Sequence, residues 1–190
     1  MTKIAIALAA ALATNTVLAE PVSYKVDSNH TYPSFEADHQ GGLSVWRGKI
    51  KSTTGNVTLD TPAHTGSVDV TMDMKSIDFG NDALNKHVMA NDILDVEKFP
   101  TATYRGTITF NGDKPAGVDG DLTLHGVTKP VKLTFNSFLC KPDALTKVDR
   151  CGADVAGSFN RDDFGVDFVK AMGYGMQVKL AIQVEAIKNK

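Results

Sequence analysis

A catalytic or metal-dependent site in this chain would have to be built from five histidines (His30, His39, His64, His87 and His125) and two cysteines (Cys140 and Cys151). Their spacing supports neither. There is no HExxH, no CxxC and no Cys/His array at zinc-binding intervals, and no GxSxG, P-loop or GxGxxG follows a strand. Strands distant in sequence can still converge, but a lone histidine on a strand is more often a hydrogen-bonding structural group. No catalytic residue, cofactor or metal is therefore assigned. The one charged cluster with chemical interest is Arg161-Asp162-Asp163. A guanidinium there could meet an anionic headgroup in bidentate fashion. The reading preferred here is structural: an ion pair with a neighbouring aspartate, or a bond to turn carbonyls that fixes a strand end.

The start of the chain bears on the cysteines. Met1-Thr2-Lys3 precedes an apolar run from Ile4 to Ala13, and Val17-Leu18-Ala19 offers a cleavage site before Glu20. This reads as a secretory signal peptide over 1–19, ahead of a single domain over 20–190, and the expected location is the periplasm. The apolar run is too short to span a bilayer, and no stable membrane insertion is expected. Removing the leader takes away Lys3 alone among the charges. The 20 basic residues become 19 against 22 acidic ones, a weakly acidic and scattered balance that excludes a nucleic-acid partner. In an exported protein, Cys140 and Cys151 are expected to form a disulfide across the intervening KPDALTKVDR loop. A metal pair or redox site has neither a CxxC nor a histidine within that loop to support it.

The elements that would carry these residues read as strands almost throughout. In DLTLHGVTKPVKLTFN (121–136), apolar and polar residues alternate on both sides of Gly126-Val127-Thr128-Lys129-Pro130, which predicts two antiparallel strands joined there by a turn. Ser67 to Lys75 alternates most cleanly, with Val68, Val70, Met72 and Met74 on one side. Further strands are expected around Tyr24, Phe35, Leu43 to Lys51, Val57, Thr101 to Phe110, Val155 to Phe159 and Tyr174 to Ala186. Only Phe79 to Lys98 reads differently: Asn81 or Asp82 could cap a short helix carrying Leu84, His87 and Val88, followed by a loop to Phe99-Pro100. Roughly eight to ten strands at regular spacing predict an all-β antiparallel sandwich or barrel. Several long strands with internal glycines favour a closed barrel of about eight strands, with one short helix and loop inserted.

The segment LTLHGVTKPV resembles the signature of the YceI-like family, secreted bacterial proteins with lipocalin-like barrels that bind polyisoprenoid lipids. The likeness extends through Val26-Asp27 with His30, Phe35 with His39, Gly48, Gly55 with Leu59-Asp60, and Ser76-Ile77-Asp78. It continues through Leu94-Asp95 with Phe99-Pro100, Gly120 to Val131, and Arg161 with Asp163-Phe164-Gly165. What the resemblance implies is an elongated antiparallel barrel whose apolar tunnel takes an isoprenoid chain, either polyprenyl or quinone-like.

By alternation alone, the apolar positions could equally form a solid core; the resemblance favours a tunnel. The expected lining is Phe35, Val70, Met72, Tyr104, Ile108, Leu122, Leu124, Leu133, Phe135, Phe159, Met176, Val178 and Leu180, with Arg161 as a candidate for the headgroup. His125, on the opposite face from Leu122 and Leu124, would then point away. The expected ligand is an isoprenoid lipid, and a homodimer is one compatible assembly. An interaction barrel acting through its loops on a membrane redox partner is the alternative.

Overall fold

The computed structural model describes residues 20–189; the expected leader over 1–19 lies outside the described residues. In chain order the strands are β1 (Val22–Val26), β2 (Tyr32–His39), β3 (Ser44–Ile50), β4 (Thr53–Asp60), β5 (Thr65–Asp73) and β6 (Ile77–Asp78). They continue as β7 (Thr101–Asn111), β8 (Lys114–Leu124), β9 (Val127–Pro142), β10 (Asp149–Asn160) and β11 (Gln177–Lys188). Among the described residues one α-helix, α1 (Asp82–Val88), lies in the connection from β6 to β7. Every pairing is antiparallel, and β1 closes the ring by pairing with β11.

Although eleven strands can be told apart, they make eight staves. The last residues of β11 pair with β1 (Val26↔Ala186) and its first residues with β2 (Ala37↔Val178), so β1 and β2 are one stave broken at 27–31. The next stave is β3 and β4 end to end, since β2 faces β3 while β1 faces β4. The third is β5 and β6, facing β4 and β3 respectively. The five longer strands β7 to β11 complete a closed, lipocalin-like barrel in simple up-and-down order. The first break is patched by a side chain: the Thr31 hydroxyl donates to the Glu185 carbonyl and accepts from the Glu185 N–H, both at 3.1 Å, standing in for the missing ladder bonds.

The hairpin β8–β9 differs from its expectation in one respect. Leu124 pairs with Val127, so the turn is His125-Gly126 alone, with φ of 51° and 76°. Two successive residues at positive φ are the requirement of a type I′ turn, whose twist matches that of the flanking strands. Pro130 sits within β9 opposite Asp121, not in the turn. A second irregularity affects which side chains face inward. Between Asp154↔Ser137 and Val155↔Phe135 the register shifts, leaving Asn136 as the extra residue of a bulge in β9. The bulge reverses the alternation, so Phe135 and Phe138, three apart, both face the interior.

The disulfide joins Cys140 to Cys151 as expected. It lies inside the sheet, bonding directly paired residues of β9 and β10, rather than at the ends of the connecting loop. The connections at 40–43, 79–100, 125–126 and 161–176 gather at one end of the barrel, termed the mouth. Those at 61–64, 112–113 and 143–148, with the outer ends of β1 and β11, form the far end.

Candidate functional site

The barrel encloses a cavity of about 450 Å³ whose wall is almost wholly apolar. The alternation explains the wall: on β5, Val68, Val70 and Met72 face in, as does Met74 just past its end, while the intervening polar residues face out. Of the residues expected to line a tunnel, Phe35, Val70, Met72, Tyr104, Ile108, Leu122, Leu124, Leu133, Phe135, Phe159, Val178 and Leu180 stand on this wall. Met176 does not. Strand β11 begins one residue later, and Met176 serves through its backbone carbonyl, which accepts the Arg161 N–H at 2.9 Å.

Buried polar groups on the wall are largely satisfied from within. The Tyr104 ring lies against Gly120, where a Cβ would come within 2.7 Å of it, and its hydroxyl donates to the carbonyls of Val131 (2.8 Å) and Val118 (3.3 Å). Burial raises the pKa of this phenol well above the usual tyrosine range. Tyr104 is thus a neutral, anchored part of the wall. Cys151 also stands on the wall, whereas Cys140 faces solvent.

The mouth is covered by parts of two connections. In α1, the Asn81 side chain caps the helix by accepting the Leu84 N–H at 3.0 Å, and Leu84, His87 and Val88 face the cavity. The approach to the helix is held by Asn85, which accepts the Phe79 N–H (2.8 Å) and donates to Asp78 (3.1 Å). Bonds from the Gly80 N–H, Asn85 and Lys51 hold the Asp78 carboxyl down at about 2. From 161–176 come Val166, Phe168, Val169 and Tyr174. Aromatic rings meet edge-on around the opening: Phe79 with Phe35 (5.3 Å between centroids), His87 with Phe168 (5.7 Å), and His39 with both Trp46 (5.4 Å) and Tyr174 (5.9 Å). Gly48 makes room for this packing, because a Cβ there would stand 2.6 Å from the Phe35 ring and 3.1 Å from that of Phe79.

Arg161 is half-buried on the mouth side of the wall. Its Nη1 donates to the carbonyls of Val166 and Phe168, both at 3.2 Å, while the neighbouring Asp162 pairs with Lys170 at 2.7 Å. Burial lowers the Arg161 pKa, although Asp162, Asp167 and Asp38 oppose the shift. The guanidinium thus pins the backbone leading into a strained residue: Val169, β-branched, sits at φ 64°. His125 is absent from the wall; its Nδ1 lies 3.2 Å from the Phe164 carbonyl and its ring 4.4 Å from that of Phe99. Among the described residues, no group of three or more His, Cys, Asp or Glu side chains could hold a metal ion.

Trp46, Phe79, Leu84, Phe168, Val169 and Tyr174 stand on the wall without having been among its expected residues. The run of apolar and aromatic residues through 161–176, from Phe164 and Val166 to Phe168, Val169 and Tyr174, was the available signal for that connection. Phe138 had none, because the bulge that turns it inward has no mark in the alternation.

A family model described as the YceI-like domain matches residues 24–186. The chain belongs to the YceI-like family. A UPF0312 protein of Pseudomonas putida is 36% identical, with 95% of this chain and 97% of that protein covered. One from Pseudomonas fluorescens is 34% identical at the same coverage. Among solved structures, the barrel resembles Burkholderia cenocepacia BcnA (TM-score 0.63, 18% identity, 81% of this chain and 95% of that one). It also resembles a Campylobacter jejuni YceI protein (TM-score 0.62, 19% identity, 78% and 88%). A third likeness is to a polyisoprenoid binding domain from Saccharophagus degradans, described as implicated in plant cell wall breakdown (TM-score 0.59, 13% identity, 88% and 99%).

Proposed function

We propose that this YceI-like barrel binds an isoprenoid chain, polyprenyl or quinone-like, in its interior and shields it from water as a periplasmic carrier or scavenger. The observation that carries the reading is the apolar cavity of about 450 Å³, which reaches the residues covering the mouth and is lined from all sides of the barrel. Each ligand CH₂ removed from water contributes about 0.8 kcal/mol, so a chain of isoprene units can be held without a polar contact. Selectivity among tails would then be loose. The Saccharophagus degradans neighbour, a polyisoprenoid binding domain, supports the same ligand class. The disulfide fits an oxidising compartment.

The contact residues in this proposal are the twelve expected positions found on the wall. Arg161 stands where an anionic headgroup would meet a cation near the opening. A barrel acting only through its loops is less well supported, because it would have no use for a hollow interior.

Native mass spectrometry of protein purified from its own host is the test. The expected result is a bound isoprenoid mass. A Gly48→Val variant, which crowds Phe35 and Phe79 at the mouth, should retain circular dichroism and bind labelled polyprenol several-fold more weakly. Repeated recovery of lipid-free wild-type protein that also fails to take up polyprenol would overturn the reading.

A further inference from the structure

Among the described residues, large apolar side chains stand well exposed in two places. Leu139 and Leu145 lie towards the far end, interleaved with Lys141, Asp143, Lys147 and Asp149. At the mouth, Leu43 (73% exposed), Val45 (50%) and Met172 (73%) come from two connections that the fold ties into one tip. The tie is Asp38, whose carboxylate accepts the N–H groups of Gly41 (3.0 Å), Gly42 (2.6 Å) and Gly175 (2.8 Å). The backbones are close enough that a Cβ on Gly41 would lie 3.1 Å from the Gly173 carbonyl oxygen.

This tip contains no charge. Its two segments read QGGLSV (40–45) and AMGYG (171–175), in a chain of which 22% is charged. The two flanking cations are paired off, Arg47 with Glu36 and Lys170 with Asp162, each at 2.7 Å, and the Asp38 carboxylate is taken up by its three N–H bonds. The tip is also continuous with the cavity. Trp46, next to Val45, and Tyr174, two residues beyond Met172, both stand on its wall. A charge-free apolar tip flanked by Trp and Tyr rings matches the layered chemistry of a bilayer surface, where such rings sit at headgroup level.

We propose that this tip docks on an electroneutral lipid bilayer and brings the mouth down to the headgroup layer, so that an apolar chain passes between membrane and cavity without crossing water. The proposal rests on the reading of the barrel as an isoprenoid carrier. A bilayer suits the tip better than a second copy or another protein, because three well-exposed side chains on the tips of two loops suit a fluid surface more than a shaped one. With both flanking cations paired within the protein, the tip complements a phosphatidylcholine surface and does not depend on anionic lipid.

Trp46, the only tryptophan, reports on the contact directly. Wild-type protein is mixed with vesicles of phosphatidylcholine carrying brominated acyl chains, and Trp46 quenching is measured with vesicle flotation. Binding that survives 0.5 M NaCl is expected. A Leu43→Ser, Val45→Thr, Met172→Gln variant should bind about tenfold more weakly, because the apolar area buried in the membrane is lost. That variant should still take up polyprenol from detergent, which also shows that it is folded.

Absence of quenching and flotation by the wild type overturns the proposal. So does vesicle binding abolished by salt or unchanged in the triple variant, or concentration-dependent dimerisation that buries Trp46 in place of membrane contact. If the wild type docks on vesicles but takes up no polyprenol, docking stands and the carrier reading fails.

Discussion

At the far end of the barrel, Cys140 is bonded to Cys151 across β9 and β10, and Arg150 reaches Asp27 and Glu185 at 2.7 Å each and Asp143 at 3.5 Å. Lys188 pairs with Asp149, and the Asn189 N–H donates to the Ser23 carbonyl, so both outer chain segments are stitched to the sheet. No disulfide braces the mouth. It is held by edge-on aromatic contacts, by the Asp38 clip, by Arg161 on two carbonyls just before the strained Val169, and by separate ion pairs, Lys170 with Asp162 and Lys51 with Asp78, rather than by one arginine on three carboxylates. Covalent and charged ties resist opening, whereas contacts between rings can slide and re-form. The proposed carrier role calls for this division: a base that keeps the ring closed and an opening that yields to a long chain.

The contrast breaks most directly at the disulfide. Replacing Cys140 and Cys151 together by serine should lower stability by about 2–3 kcal/mol, read as a fall in the midpoint of thermal or urea unfolding. Cys151 stands on the cavity wall, so polyprenol binding should be measured on the same variant. Binding retained in the folded variant would place the functional contacts towards the mouth. An unchanged midpoint would mean that the far end does not depend on its covalent brace.

Arg150→Met should cost less, about 1–2 kcal/mol, because the ion network is only partly shielded from solvent. Arg150 retains 22% exposure and Asp27 11%. The loss should be smaller at high salt, and a double-mutant cycle with Asp27→Asn isolates the coupling.

Acid sharpens the same point. Burial alone would raise the Asp27 carboxyl, but hydrogen bonds from His30, Arg150 and the Asn29 N–H outweigh it and hold the folded-state pKa below the usual aspartate value. A depressed folded pKa stabilises above the unfolded value. The contribution therefore begins to fade as pH drops past about 3.9 and is lost once pH falls through the lower folded-state pKa. Asp27→Asn should flatten the pH dependence of stability in that acid window, read from unfolding midpoints between about pH 2 and 5.

The smallest global effect is expected at the mouth. Asp38 accepts three N–H bonds, which hold its carboxyl low, with that from Gly175 foremost. Asp38→Asn should barely move the unfolding midpoint. Amide exchange at Gly41, Gly42 and Gly175 should speed up while amides in β9 and β10 stay protected. Faster exchange spread through the whole barrel would mean that the mouth and the far end unfold as one unit.

Much of this molecule was legible in the order of its residues. The period-two pattern of Val68, Val70, Met72 and Met74 determined which face of β5 is dry, because successive side chains in a strand point to opposite sides. Asn81 marked the start of α1 through the bond that its side chain makes to the first turn, and Cys140 and Cys151 announced their own pairing.

Only the tertiary structure decided that β1 with β2, β3 with β4, and β5 with β6 run end to end as single staves, since each break is bridged by partners far away in the chain. It also decided that His125-Gly126 alone makes the turn, that a bulge at Asn136 brings Phe138 inward, and that 161–176 folds over the opening. Above all it decided that the interior is hollow. Whether inward side chains meet or leave a void depends on the width of the closed ring and the summed volumes from eight staves, and no local pattern contains either quantity.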